Sequence, residues 1–176
     1  MTDESSFLVL SVIGDDRPGL VGDLAAVIRH HGGNWLEASM SHLAGKFAGI
    51  VRVSIATAEA ESLRSALGAL PGLNVQGELS HAAAAQPARR LTLSLVGHDR
   101  IGIVSEVTAA LARHAANIEK IETNTASAPM AAGVLFYADV SLTARSDIDI
   151  AALQADLERI SNDLMVDIAL GETIRG

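Results

Sequence analysis

The 176-residue sequence contains no cysteine, which excludes disulfides, thiolate metal sites, iron–sulfur clusters and a cysteine nucleophile. Aromatic residues are scarce: with one Trp, one Tyr and three Phe, a core has to be assembled from Ala, Val, Leu and Ile. Basic residues are outnumbered by acidic ones, 13 to 21, for a net charge of −8. An acidic chain repels a phosphate backbone and no Lys/Arg stripe overrides that repulsion, so direct nucleic-acid binding is not expected. No uninterrupted apolar run approaches the roughly 18–20 residues of a membrane-spanning helix. The opening, Met1 to Ser6, is polar and acidic, unlike a secretory signal, and a cytoplasmic location is expected. No G-x-S-x-G, phosphate-binding loop, dinucleotide fingerprint or H-E-x-x-H is present. Neither a catalytic site nor a metal or cofactor is therefore expected. Apolar residues make up 49%, normal for a folded chain, and the length allows one ordinary domain or two small ones.

What is present is a duplication. Displaced by 83 positions, LVLSVIGDDRPGLVGDLAAVIRHHGGNW aligns without a gap on LTLSLVGHDRIGIVSEVTAALARHAANI. Identical pairs include Gly14/Gly97, Asp16/Asp99, Arg17/Arg100, Gly19/Gly102, His31/His114 and Asn34/Asn117. An Ala-rich composition produces scattered matches, but not an ungapped G-x-D-R-x-G in register. Residues 81–90 between the copies, small, polar and broken by Pro87, read as a linker, unless Ala82–Ala85 adds a helical turn. The domains expected are 1–80 and 91–176. Each half carries a net charge of −4, nine acidic against five basic side chains before Pro87 and twelve against eight after it. No charged tail is set apart for a partner.

Each copy reads as strand, helix, strand, strand, helix, strand. Phe7–Ile13 and Leu91–Val96 are β-rich and end at Gly14 and Gly97. Leu20, Leu24, Val27, Ile28 and His31 follow helical spacing, as do Ile103, Val107, Ala110, Leu111 and His114. Asn34–Leu43 and Lys46–Ile55 form a hairpin through Ala44-Gly45. The second hairpin, Ile118–Ala126 and Val134–Thr143, has a longer turn containing Pro129, and Val134, Phe136, Ala138, Val140 and Leu142 fill one face. Leu63, Ala66, Leu67 and Leu70 mark a second helix; Ile150, Leu153, Leu157 and Ile160 mark its counterpart, with Ser146 and Asp149 as a capping box. Leu73–Leu79 and Met165–Leu170 close the two copies. The fold class is α+β: two ferredoxin-like βαββαβ modules in tandem, each an antiparallel sheet with its helices on one face. Strand one of the first copy is apolar on both faces, Leu8, Leu10 and Val12 against Phe7, Val9 and Ile13. Something is therefore expected to pack on the uncovered side, within the chain or in a homo-oligomer.

The strand, the loop Gly14-Asp-Asp-Arg-Pro-Gly19, the amphipathic helix and Gly33-Asn34 at the next strand resemble the ACT domain, a small amino-acid-binding regulatory module. Two such modules, a second-module hairpin Glu122-Thr-Asn-Thr-Ala-Ser-Ala-Pro-Met130 and a strand with Leu135-Phe136 resemble the glycine cleavage system transcriptional repressor family. The resemblance covers about Phe7 to Leu170. It implies a small amino acid as effector, glycine or similar, held by Asp16, Arg17, Pro18 and Gly19 with Asn34 across from them. In the second copy it implies Asp99, Arg100 and Gly102, with Asn117. It also implies a protein that represses through a DNA-binding transcription factor as partner. The chemistry is reasonable in itself: a helix N-terminus suits a carboxylate, glycine admits close approach, and Asp or Asn accepts from an ammonium.

Each of these residues also has a plainer use. Asp16 and Asp99 suit a helix cap, ligand contact or both. Gly14 and Gly97 suit a backbone turn, Asn34 and Asn117 suit turn formation, and Arg17 and Arg100 suit a solvated surface. The adjacent His30 and His31 point in different directions on a helix and suit charge compensation at its end. The second copy departs from the first, with Ile101 for Pro18, Ala115-Ala116 for Gly32-Gly33 and His98 for Asp15. One copy binding while the other is structural is thus open, the first being preferred. A ligand-independent adaptor is the alternative, and an enzyme using Asp or His as acid and base a third class.

Overall fold

The computed structural model describes residues 5–80, 88–127, 133–160 and 164–174. Most of the expected linker and the Pro129 turn lie outside the described residues. The chain divides into two compact units, Met1–Ala83 and Ala84–Gly176.

In the first unit the elements run β1 (Ser5–Asp15), α1 (Leu20–His30), β2 (Asn34–Leu43), β3 (Lys46–Ala56), α2 (Ala60–Gly68) and β4 (Leu73–Ser80). The second repeats them as β5 (Ala88–His98), α3 (Ile103–Arg113), β6 (Asn117–Ser127), β7 (Val134–Ala144), α4 (Ile150–Glu158) and β8 (Met165–Ile174). The sheets have the orders β2-β3-β1-β4 and β6-β7-β5-β8, with every pair antiparallel. Both are therefore ferredoxin-like βαββαβ modules. Ala88, Arg89 and Arg90, read from sequence as linker, already belong to β5.

Period-two alternation decides what each sheet buries. Leu8, Leu10 and Val12 of β1 and Val51, Val53 and Ile55 of β3 share one buried cluster with Leu20, Leu24 and Ile28 of α1 and Leu63 and Leu67 of α2. In the second unit Leu91, Leu93 and Leu95 meet Val107, Leu111, Leu153, Leu157, Phe136 and Val140 in the same way. Each fully buried Leu or Val contributes about 1.5–3 kcal/mol relative to exposure. Of the residues expected to fill one face of β7, Phe136, Ala138, Val140 and Leu142 are buried, and Val134 is exposed where the strand begins.

The opposite faces differ. In the first unit Phe7, Val9, Ile13, Ile50 and Leu43 lie on it, and Ile13, Ile50 and Leu43 are 48%, 56% and 78% exposed. Arg52 crosses this face, 5.4 Å from the Phe7 ring centroid and 3.1 Å from a Glu37 oxygen. The same face of the second unit carries Ser94, Asp139, Ser141, Lys120 and Glu122, with the Ser94 hydroxyl donating to Asp139 at 2.8 Å.

Two turns explain why these elements stop where they do. Ala44 (φ 50°) and Gly45 (φ 78°) are both left-handed, as a two-residue type I′ hairpin requires. Helix α1 ends with Gly32 at φ 72°, its N–H on Arg29 O and the Gly33 N–H on Ile28 O, a Schellman closure. Helix α3 ends identically, but Ala115 holds the left-handed position at φ 51°. Helix α4 starts differently from expectation. Asp149 is itself the N-cap, accepting from Ala152 N–H at 3.0 Å, so the Ser146–Asp149 capping box is not formed. Gly14 and Gly97 are not turn residues either; both lie within strands, β1 and β5. At Gly14 a Cβ would come within 2.4 Å of Gly72 O, so only glycine admits that neighbouring chain.

Candidate functional site

The loops between β1 and α1 and between β5 and α3 are built alike. Each helix is entered through a left-handed glycine, Gly19 (φ 86°) or Gly102 (φ 92°), with no side-chain cap. Asp16 and Asp99 therefore do not cap the helices. Their backbones instead tie each loop to the neighbouring strand pair: Asp16 N–H donates to Gly45 O at 3.1 Å, Asp99 N–H to Val134 O at 2.9 Å. Further in, Asp23 N–H donates to Gly19 O at 2.9 Å and Glu106 N–H to Gly102 O at 3.0 Å.

The arginines are not idle surface charges. Arg17 Nη2 lies 2.6 Å from Asp23 Oδ2, and Arg100 donates to both oxygens of Glu106 at 2.7 Å. Arg100 Nη2 also reaches Ile160 O at 3.4 Å, beyond the end of α4. The Arg100 guanidinium, chiefly through these hydrogen bonds, holds the Glu106 carboxyl below its usual range. Asp23 and Glu106 are the aligned acids of the two copies, six residues after each arginine. That repeated spacing was the available sequence signal for them.

Around the first loop, Asp16, Arg17, the turn Gly19–Gly22 and Phe47 line a depression of about 220 Å³. The first amide of α1, that of Leu20, donates back to Arg17 O at 3.4 Å, and the amides of the first turn give this end a partial positive charge. Asp16 also lines it, its carboxylate 3.8 Å from His42 Nε2, and next to it Lys46 is ion-paired with Asp15. Pro18 is not among the residues that line the depression. A larger hollow of about 430 Å³ lies between α2 and β4, but Glu61, Arg64 and Glu78 line it with no set of opposed poles repeated in both copies. The duplicated loop remains the better candidate.

Asn34 is not across from the loop. It pairs with Ser54 at one end of β3, while the loop meets the other end, where Asp15 pairs with Lys46. Eight residues of strand, about 26 Å at 3.3 Å each, separate them. Asn117, paired with Thr143, stands as far from Asp99 along β7. Its Nδ2 donates to Glu119 Oε1 at 2.9 Å across a β-bulge, and Thr143 Oγ1 donates to the same oxygen at 2.7 Å. That is a structural duty, and it depends on Glu119; the bulge of the first unit has Leu36 there.

The histidines behave as helix-end groups. His31 Nδ1 donates to Val27 O at 3.0 Å, and His114 Nε2 donates to Asp156 Oδ2 at 2.7 Å. Arg159, at 2.7 Å, and Arg113, at 3.9 Å, complete the surroundings of Asp156, and its carboxyl is held low mainly by the His114 bond. Among the described residues no group of His, Asp or Glu is placed to hold a metal ion. None of the described helices is long and apolar enough to cross a membrane.

The ACT domain family matches twice, at residues 6–72 and 89–170. A solved structure of an unknown protein from Galdieria sulphuraria is 32% identical, with a TM-score of 0.82, covering 98% of this chain and 100% of that one. A second solved structure, of a putative glycine cleavage system transcriptional repressor, is 17% identical with a TM-score of 0.71, covering 96% of this chain and 98% of that one. The latter likeness is one of fold. Among curated proteins no sequence match is found.

Proposed function

The chain belongs to the ACT-domain family through two copies that take up most of its length, and from that premise we propose that it is a non-enzymatic amino-acid sensor. The observation that carries this reading is the loop geometry. A left-handed glycine opens a helix N-terminus onto a small hollow, with a guanidinium and a carboxylate on its margins. A free amino acid has two opposed charges a few ångströms apart. The helix N-terminus and Arg17 suit its carboxylate, and Asp16 suits its ammonium. A depression of about 220 Å³ has room for glycine or a similarly small residue. In this reading Asn34 and Asn117 stand outside the seat of their own module.

Ligand binding is then transmitted to a regulatory protein. The partner proposed is a DNA-binding transcription factor of the glycine cleavage system, which this protein would repress without touching DNA. The acidic charge and the hairpin resemblance support that choice, and the apolar open face of the first sheet supports a homo-oligomer. One observation favours a ligand-independent adaptor instead: both loop arginines already have a carboxylate partner.

A thermal melt against a panel of amino acids separates the two. Ligand at 100 times its Kd adds about 2.7 kcal/mol to the folded state, a shift of several degrees. A selective shift that disappears in Asp16→Ala is the expected result. No shift with any amino acid at millimolar concentration contradicts the sensor and leaves the adaptor.

A further inference from the structure

We infer that the acid of the first helical turn decides which loop takes the amino acid: Glu106 closes the second loop, and Asp23 leaves the first open. The inference rests on the amino-acid reading above and adds the residue that makes the copies unequal.

Asp and Glu differ here by one methylene at aligned positions. The longer Glu106 lays its carboxylate flat against Arg100, one oxygen to each η-nitrogen at 2.7 Å. Such a fork-to-fork pair is the strong form of this interaction. The shorter Asp23 presents one oxygen, Oδ2, to Nη2 of Arg17, whose Nη1 has only a 3.5 Å contact to Pro18 O. One edge of the Arg17 guanidinium is thus available to a ligand carboxylate, while Arg100 has both η-nitrogens engaged.

The glycines show where this same Glu106 carboxylate lies. A Cβ built on Gly102 would lie 3.7 Å from Glu106 Oε1, so that carboxylate is folded back over the loop where a ligand would approach. On Gly19 the same construction meets nothing within 4 Å. Glu106 occupies its own loop as an internal substitute for the ligand carboxylate. The aromatic side chains agree: Phe47, opposite Gly14, borders the first depression and is half-buried, whereas Phe136, opposite Gly97, is 5% exposed.

Calorimetric titration of the full-length chain with glycine and with serine tests this. The wild type is expected to bind one molecule per chain. Glu106→Asp and Glu106→Ala are expected to add a second site, and Asp23→Glu to weaken the first several-fold. Melting curves check that each variant is folded; these positions are partly exposed, and two of the three substitutions change only one methylene. Two equal sites in the wild type, or one site indifferent to all three substitutions, overturns the inference while the sensor survives. No heat from either probe in the wild type, together with no melting shift across the wider panel, overturns the sensor itself.

Discussion

Ala115 occupies a left-handed position, φ 51°, that its counterpart Gly32 fills without strain. A Cβ in that region costs about 1 kcal/mol. Ala115→Gly should raise stability by about that amount and Gly32→Ala should lower it by a similar one, read from urea midpoints; equal effects of one sign would contradict the assignment. Asp156 tests electrostatics at the same scale. Its folded-state pKa is depressed by the His114 hydrogen bond, so its contribution is complete above the ordinary carboxylate range of about pH 4 and fades as pH falls through the depressed value. Melting temperatures from pH 7 to 3 should therefore show wild type and Asp156→Asn converging in acid, and a gap independent of pH would refute the pairing. Which side chains share a site was the hardest part to read from sequence. Asn34 follows an 11-residue helix, which carries the chain about 16 Å away from the loop before β2 begins. The repeat revealed that Asn34 and Asn117 are equivalent, but equivalence carries no information about distance. His42 and Phe47 reach the loop only through hairpin register, which no local spacing announces.

Elements were more legible than contacts, because burial imposes a period that survives in the sequence. The hairpin at Ala44-Gly45 and the buried alternation Val51, Val53, Ile55 follow directly from it. Strand ends did not: β1 and β5 run past Gly14 and Gly97 because backbone pairing with β3 and β7 continues through glycine. Leu24, wholly buried between α1 and the sheet, should cost about 2–5 kcal/mol of stability when changed to Ala, measured by urea denaturation. Ile50 lies on the open face of the same sheet and serves as the contrast. Ile50→Lys should change stability by about 0.5 kcal/mol or less while weakening self-association in sedimentation velocity. A large loss of stability with unchanged association would mean that this face is not where copies meet.

For the whole molecule, duplication has kept the loop architecture and altered what fills it. Each half retains the charge of −4, the left-handed glycine and the arginine–acid pair. The molecule therefore presents two versions of one loop, with a single methylene and a proline-to-isoleucine exchange among their differences. Whether a small amino acid sits at the β1–α1 loop is decided by amide chemical-shift mapping of the full chain during titration with glycine and serine. The amides of Gly19, Leu20, Val21 and Gly22 should move, and those of Asn34 and Trp35, at the far end of the sheet, should not. Shifts centred on Asn34, or no shifts at the loop at saturating amino acid, would contradict binding there.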